Sequence, residues 1–221
     1  MNTTDILSWF NIVVAAAELY FAFYMLLTRV RSKVSVFYFL FSLGVAGWVY
    51  SIGGFYLFEN PGVERFHLNL AYISASLIMS ALFLFAMVFP FQKRRLGLEH
   101  YALAILPFLA FAVASFAHQI LTGYIKDPTE YFLGPLYTPY TIYIVGYYLI
   151  AMALLVEKYR MSDGIHRWQL KNLILSLLFA GVMGVTFNLL IQFWGIAYLN
   201  HVGTLASVIW FSTTLYIVMK R

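Results

Sequence analysis

The sequence has no cysteine, which excludes disulfides and thiolate metal sites and leaves the redox compartment unmarked. Charge is nearly as scarce, with only 10% of the 221 residues being Asp, Glu, Lys or Arg, against about a quarter in soluble globular domains. No Gly-rich phosphate loop, zinc-type cluster or nucleophile elbow is present. The five histidines (His67, His100, His118, His166 and His201) are scattered over loops and helix ends, and no two stand four residues apart. His118 and His201 fall toward the same face, but two lone histidines do not make a metal site. A retinal-binding lysine is missing from the last apolar segment, since none precedes Lys220. The Asp/Glu-Arg-Tyr and Asn-Pro-x-x-Tyr signatures of animal seven-helix receptors are absent as well. Residues 1–8 carry Asp5 and no basic residue, unlike the start of a secretory signal peptide, so the first apolar segment is expected to be retained. These absences predict no catalytic residue, no cofactor, no metal and no nucleic-acid partner.

What the chain has in quantity is apolar surface, 62% of its residues, with a mean hydropathy of +0.81. A spanning helix needs about 20 predominantly apolar residues, and charges and turn residues divide this sequence into seven such segments. They lie at about 6–28, 34–58, 67–91, 101–121, 139–156, 170–193 and 201–219. The expected fold is an all-α integral membrane bundle of seven transmembrane helices that fills residues 1–221 as one domain. Glu59-Asn60-Pro61-Gly62 is a turn, and Pro107 lies inside the fourth segment, where a membrane helix accommodates it as a kink. Residues 122–138, with Gly123, Pro128, Gly134 and Pro135, are predicted to be a loop. Gly195 and Asn200 mark the last turn.

The basic residues give the orientation. Arg29, Arg31, Lys33, Lys93, Arg94, Arg95, Lys158, Arg160, Arg167, Lys171, Lys220 and Arg221 fall on one side, and only Arg65 and Lys126 on the other. The positive-inside rule makes the heavy side cytoplasmic, so the N-terminus is outside and the C-terminus inside. The chain is therefore expected in the cell membrane as a multi-pass protein whose immediate partner is the lipid bilayer.

Polar residues within apolar segments are costly and cluster where function or packing requires them. Glu18 stands about 18 Å into the first helix at 1.5 Å per residue, near the bilayer centre. It shares a stripe with Asn11, Ala15 and Ala22, the expected inward face. The third segment carries Asn69, Tyr72, Ser76 and Ser80 at helical spacing, and the fifth carries Tyr140, Tyr143 and Tyr147. The sixth has Gly181, Gly184, Asn188 and Gln192, and the seventh opens with His201 and Thr204. Most of these fall in the outer half of the membrane. The set Glu18, Asn11, Asn69, Tyr72, Tyr143, Asn188, Gln192 and His201 is thus a candidate site for a small-molecule or lipid-like ligand. Interhelical hydrogen bonding is the competing reading for each.

From the fifth segment onward the sequence carries Gly146-Tyr147, Tyr159-Arg160 and Gly164-Ile165-His166-Arg167-Trp168-Gln169-Leu170-Lys171, then Gly181, Gly184, Asn188, Gly203 and Ser207. With Arg29 followed by Phe37, Phe41 and Trp48, this resembles the N-terminal seven-helix sensor domain of bacterial sensor histidine kinases, also found on some diguanylate cyclases. The resemblance implies a receptor in signal transduction, a two-component system, that passes a signal through the seventh helix to a cytoplasmic output domain or partner kinase. It also implies a possible homodimer, and relay roles for Arg167 and Gln169 at the start of the sixth helix. The sequence ends at Lys220-Arg221 without a kinase or cyclase region, so no enzyme activity is expected of it. The runner-up reading is a seven-helix small-solute transporter. Such proteins repeat a three-helix unit, and no repeat relates the first three segments to the last three.

Overall fold

The computed structural model describes residues 3–28, 32–92, 95–126, 130–194 and 200–219. Arg29, Arg31, Lys93, Arg94, Lys220 and Arg221, half of the basic residues on the heavier side, lie outside the described residues, as do Pro128 and Gly195. Seven helices follow one another: α1 (Thr3–Thr28), α2 (Lys33–Leu57), α3 (Pro61–Val88), α4 (Leu98–Phe116), α5 (Tyr137–Arg160), α6 (Gly164–Asn188) and α7 (Asn200–Met219). Among the described residues, α1 to α6 are long and apolar enough to cross a membrane.

The helix ends follow from local chemistry. Ser32 caps α2 by accepting from the Ser35 N–H at 3.0 Å, and Asn60 caps α3 by accepting from Gly62 at 2.9 Å. With Pro61 in the first turn, where a missing N–H costs nothing, α3 starts six residues before the position that hydropathy alone predicts. The α2–α3 turn is thereby short, and the two helices pack closely. A Cβ at Gly44 would fall 2.9 Å from Ile78.

α3 is the central helix. It packs against α2, α4 and α5, while α6 packs against α5 and α7, and α7 returns to α1 and α2. Residues 80–89 are buried without a break. By contrast, Val13, Leu27, Leu106 and Val113 on α1 and α4 are each 65% or more exposed. Helices apolar on their outer as well as inner faces suit lipid rather than water.

Two expectations need correction. The segment predicted to be a loop at 122–138 forms an antiparallel hairpin, β1 (Leu121–Ile125) with β2 (Glu130–Leu133). Tyr124, Ile125, Tyr131 and Phe132 are strand formers, and their signal was masked by the surrounding Gly and Pro. The sixth helix also does not run unbroken to Phe193. It ends at Asn188, and after Leu189 a 3-10 turn, Leu190–Trp194, follows.

The hairpin closes one end of the bundle, termed here the hairpin end. It is latched to the α2–α3 turn: Lys126 Nζ meets Glu64 at 2.9 Å and donates to the Phe58 carbonyl, and Tyr124 donates to Glu64 at 2.7 Å. Burial, and then the Glu64 acceptor, push the Tyr124 phenol up to about 12. At the opposite end, Lys158 of α5 donates to the carbonyls of Met87, Phe89 and Phe91 at 2.9, 2.9 and 2.7 Å. One ammonium thereby satisfies acceptors that the C-terminus of α3 leaves without helical partners.

Candidate functional site

Pro107 shows how this bundle treats its polar groups. Proline lacks an N–H, so the carbonyl four residues earlier loses its helical partner. That carbonyl is Leu103, and Tyr147 of α5 donates to it at 2.5 Å. Ser80 of α3 serves the next carbonyl, Ala104, at 2.7 Å.

Most of the tyrosine stripe is bonded as well, here to carbonyls inside helices, so that the hydroxyl is the group that gains a partner. Tyr143 donates to the Ser76 carbonyl at 2.9 Å, Tyr140 to the Tyr72 carbonyl at 3.1 Å, and Tyr148 to the Leu177 carbonyl at 3.2 Å. The end of α6 is treated alike. Tyr137 donates to the Leu189 carbonyl at 2.9 Å, and Gln192 Nε2 to the Asn188 carbonyl at 2.7 Å. Gln192 Oε1 in turn accepts from Tyr72 at 2.9 Å and shares the single Tyr137 proton, also at 2.9 Å, with the Leu189 carbonyl. Each bond removes an orphan group from an environment without water to replace it.

Between α2, α3 and α5 on one side and α6 and α7 on the other lies a cavity of about 130 Å³. Its hairpin end is lined by Tyr131 and Gln192, and its deep end by Phe41, Leu82 and Trp210. Phe41 and Trp210 meet edge to face there, 4.8 Å between centroids. The cavity thus runs from the hairpin end to beyond the middle of α2 and α3 and to about the middle of α7. Gly181 and Gly184 form part of the α6 wall. A Cβ at Gly181 would fall 2.3 Å from the Tyr148 ring, so glycine sets how closely α6 approaches α5 there, whereas one at Gly184 would stand 3.8 Å from Trp48.

On the α7 side the treatment of polar groups changes. Asn188 is buried and lines the cavity, yet neither Oδ1 nor Nδ2 has a hydrogen-bond partner. The Ser207 hydroxyl, also on the wall, has none either. Behind it stands Glu18, 2% exposed, close enough to Ser207 for its carboxyl to feel that hydroxyl, although the two do not meet in hydrogen-bond geometry. A buried polar group left this way costs about 1–3 kcal/mol.

The sequence-predicted site residues divide accordingly. Tyr72, Asn188 and Gln192 line the cavity. Glu18 stands one side chain behind it. Asn11 accepts from Thr204 of α7 at 3.1 Å, Asn69 accepts from Ser115 of α4 at 3.2 Å through its carbonyl, and Tyr143 is engaged with Ser76 and Ser80. His201 is the second residue of α7, but its side chain lies outside the described residues. The inward stripe of α1 is buried as its spacing predicts, with Asn11, Ala15, Glu18 and Ala22 each 2% exposed or less. Of the two relay candidates, Arg167 lies over the Tyr159 ring at 5.2 Å, on α5. Gln169 is buried beside His166 at 3.4 Å. The α6–α7 contact at this end is made by Trp168 and Tyr216, 5.6 Å between centroids. Sequence reasoning missed Ser207 as a site residue. Its place one turn after Gly203, on the helix face opposite Glu18, was the available signal.

Among the described residues no group of three or more His, Cys, Asp or Glu is placed to hold a metal. The arrangement is a helical bundle with an internal, mostly apolar cavity bordered by the helix nearest the C-terminus, the architecture of a membrane-embedded receiving module. The model of one family, the N-terminal 7TM region of histidine kinase, matches residues 10–218, and the chain belongs to that family. In histidine kinases this region is the non-catalytic, multi-pass membrane sensor. No match is found among curated proteins or among solved structures.

Proposed function

We propose that this chain is a membrane sensor, N-terminus outside and C-terminus cytoplasmic, that binds a small or lipid-like ligand in the cavity and relays occupancy through α7 to a cytoplasmic kinase. The observation that carries this reading is the position of the cavity. It separates a body, in which α3 is bonded to its neighbours, from the α6–α7 pair, and a ligand filling it contacts both walls. A ligand shifts an equilibrium only by its differential affinity for two states. A molecule wedged between two packed units has that property, since any rotation of α7 changes its contacts. The basic residues clustered opposite the hairpin support a cytoplasmic location for that end, and the hairpin then faces outward, closing the cavity on that side.

The test is the thermal midpoint of the purified protein across a metabolite and lipid panel, run beside Glu18→Gln and Gly184→Leu. A ligand specific for the folded state at a hundredfold over its dissociation constant adds about 2.7 kcal/mol of stability. A compound that stabilises the parent and loses its effect in Gly184→Leu, whose side chain occupies the cavity, supports the site. Loss of the effect in Glu18→Gln as well places the acid in recognition. If every stabilising compound acts equally on Gly184→Leu, the cavity is not the sensing site.

A further inference from the structure

Resting on the cavity reading, we infer its ligand class: an uncharged, chiefly aliphatic molecule with a head group that donates and accepts hydrogen bonds side by side, as a primary carboxamide does. Two groups of polar atoms stand apart in the lining. Those of Tyr72, Tyr140, Tyr148 and Gln192 already bond to other protein groups. Those of Asn188 and Ser207 do not. A ligand head therefore gains hydrogen bonds at the second group without breaking any at the first.

Asn188 presents two N–H donors and a carbonyl acceptor. Its complement is a group with an acceptor and a donor in one plane, which closes two bonds at once. Ser207 lies one helical turn beyond Gly203, the residue against which the Asn188 amide packs: a Cβ there would fall 1.7 Å from Nδ2. One turn is about 5.4 Å of rise, so the hydroxyl extends the polar strip along α7, and a carboxamide has a further N–H and lone pair to offer it.

Charge selects against the alternatives. Among the described residues no Lys, Arg or His lines the cavity, and the Glu18 carboxyl stands behind Ser207. A carboxylate or phosphate head would be buried without a cation and beside an acid. An ammonium would meet Glu18 only across the Ser207 hydroxyl, and its three donors would leave the Asn188 N–H groups unanswered. The remaining walls, with Val45, Leu68, Ile78, Leu82 and Ile144, suit an aliphatic tail.

Trp48 and Trp210 line the cavity and serve as reporters. The full chain in lipid nanodiscs is titrated with ω-bromo-octanamide, whose bromine quenches tryptophan at contact, with octanamide, octylamine and octanoate as competitors. Saturable quenching that octanamide reverses is expected, with octylamine and octanoate weaker by about tenfold, the equivalent of one neutral hydrogen bond. Asn188→Leu is expected to weaken the amide by about tenfold or more, and Ser207→Ala, a smaller change that keeps the fold, by severalfold. Octylamine or octanoate competing as well as octanamide, or unchanged affinity in both variants, overturns the amide assignment while leaving the cavity reading intact. Absence of saturable quenching overturns it too. The midpoint panel with Gly184→Leu then decides separately whether the cavity binds a ligand of another class.

Discussion

Two regions of this bundle contain buried polar groups and treat most of them differently, with His67 of α3, buried with both ring nitrogens unbonded, the exception in the body. In the α3–α4–α5 body, Tyr137, Tyr140, Tyr143, Tyr147, Ser76, Ser80 and Ser115 each have a bonded partner. Along the α1–α6–α7 seam, Glu18, Asn188 and Ser207 have side-chain atoms without one. The body ties its polar side chains to backbone carbonyls, and at Pro107 and the end of α6 these bonds replace helical ones that are missing, so they fix geometry. The seam keeps its polar groups available, at an energetic cost that a ligand would repay. On the proposed reading, stability and reception are separated in space, with the cavity at their boundary.

Substitutions sharpen this contrast. The largest loss is expected at Lys158→Met, which removes the donor from three carbonyls at once; about 4 kcal/mol should disappear from the unfolding free energy in a denaturant titration. Tyr147→Phe should cost about 1–2 kcal/mol, because the Leu103 carbonyl beside Pro107 is left bare. That loss should largely vanish in a Pro107→Ala background, where the helical N–H returns, and the double-mutant cycle measures the coupling. If the cycle shows no coupling, Tyr147 does not serve the proline break and the account of the body weakens. In the seam the sign reverses. Ser207→Ala should leave the thermal midpoint unchanged or raise it by up to about 1 kcal/mol of stability, since an unsatisfied hydroxyl is removed. A loss comparable to that of Tyr147→Phe would erase the distinction between the regions. The smallest global effect is expected at Lys126→Ala, below about 1 kcal/mol for a partly exposed ion pair. Hydrogen exchange at the β1 and β2 amides should nonetheless rise, since the latch holds the hairpin locally.

The helix count, the order of the helices and most of their ends were legible because they depend on one-dimensional signals, apolar length and charge punctuation. The exceptions have local causes. α3 begins at Pro61 because Asn60 supplies a cap, and the hairpin was hidden among turn residues that outweighed its strand formers. The candidate site was legible only in part. Periodicity placed Asn11, Glu18, Asn69, Tyr72, Tyr143, Asn188 and Gln192 on inward faces, and all are buried. It did not distinguish Tyr143, bonded to the Ser76 carbonyl, from Asn188, bonded through neither side-chain atom.

By itself, then, the sequence determined a seven-segment apolar chain, which residues of each segment face inward, and the family signature, since each of these is carried by residues close together along the chain. Tertiary structure alone decided which inward polar groups are satisfied and where space remains between helices. Those properties belong to side chains brought together from positions far apart in sequence: Tyr147 on the carbonyl that Pro107 frees, Lys158 on the end of α3, and Ser207 beside Glu18. Hydrogen bonds and cavities are pairwise properties, and the pairs exist only once the helices have packed.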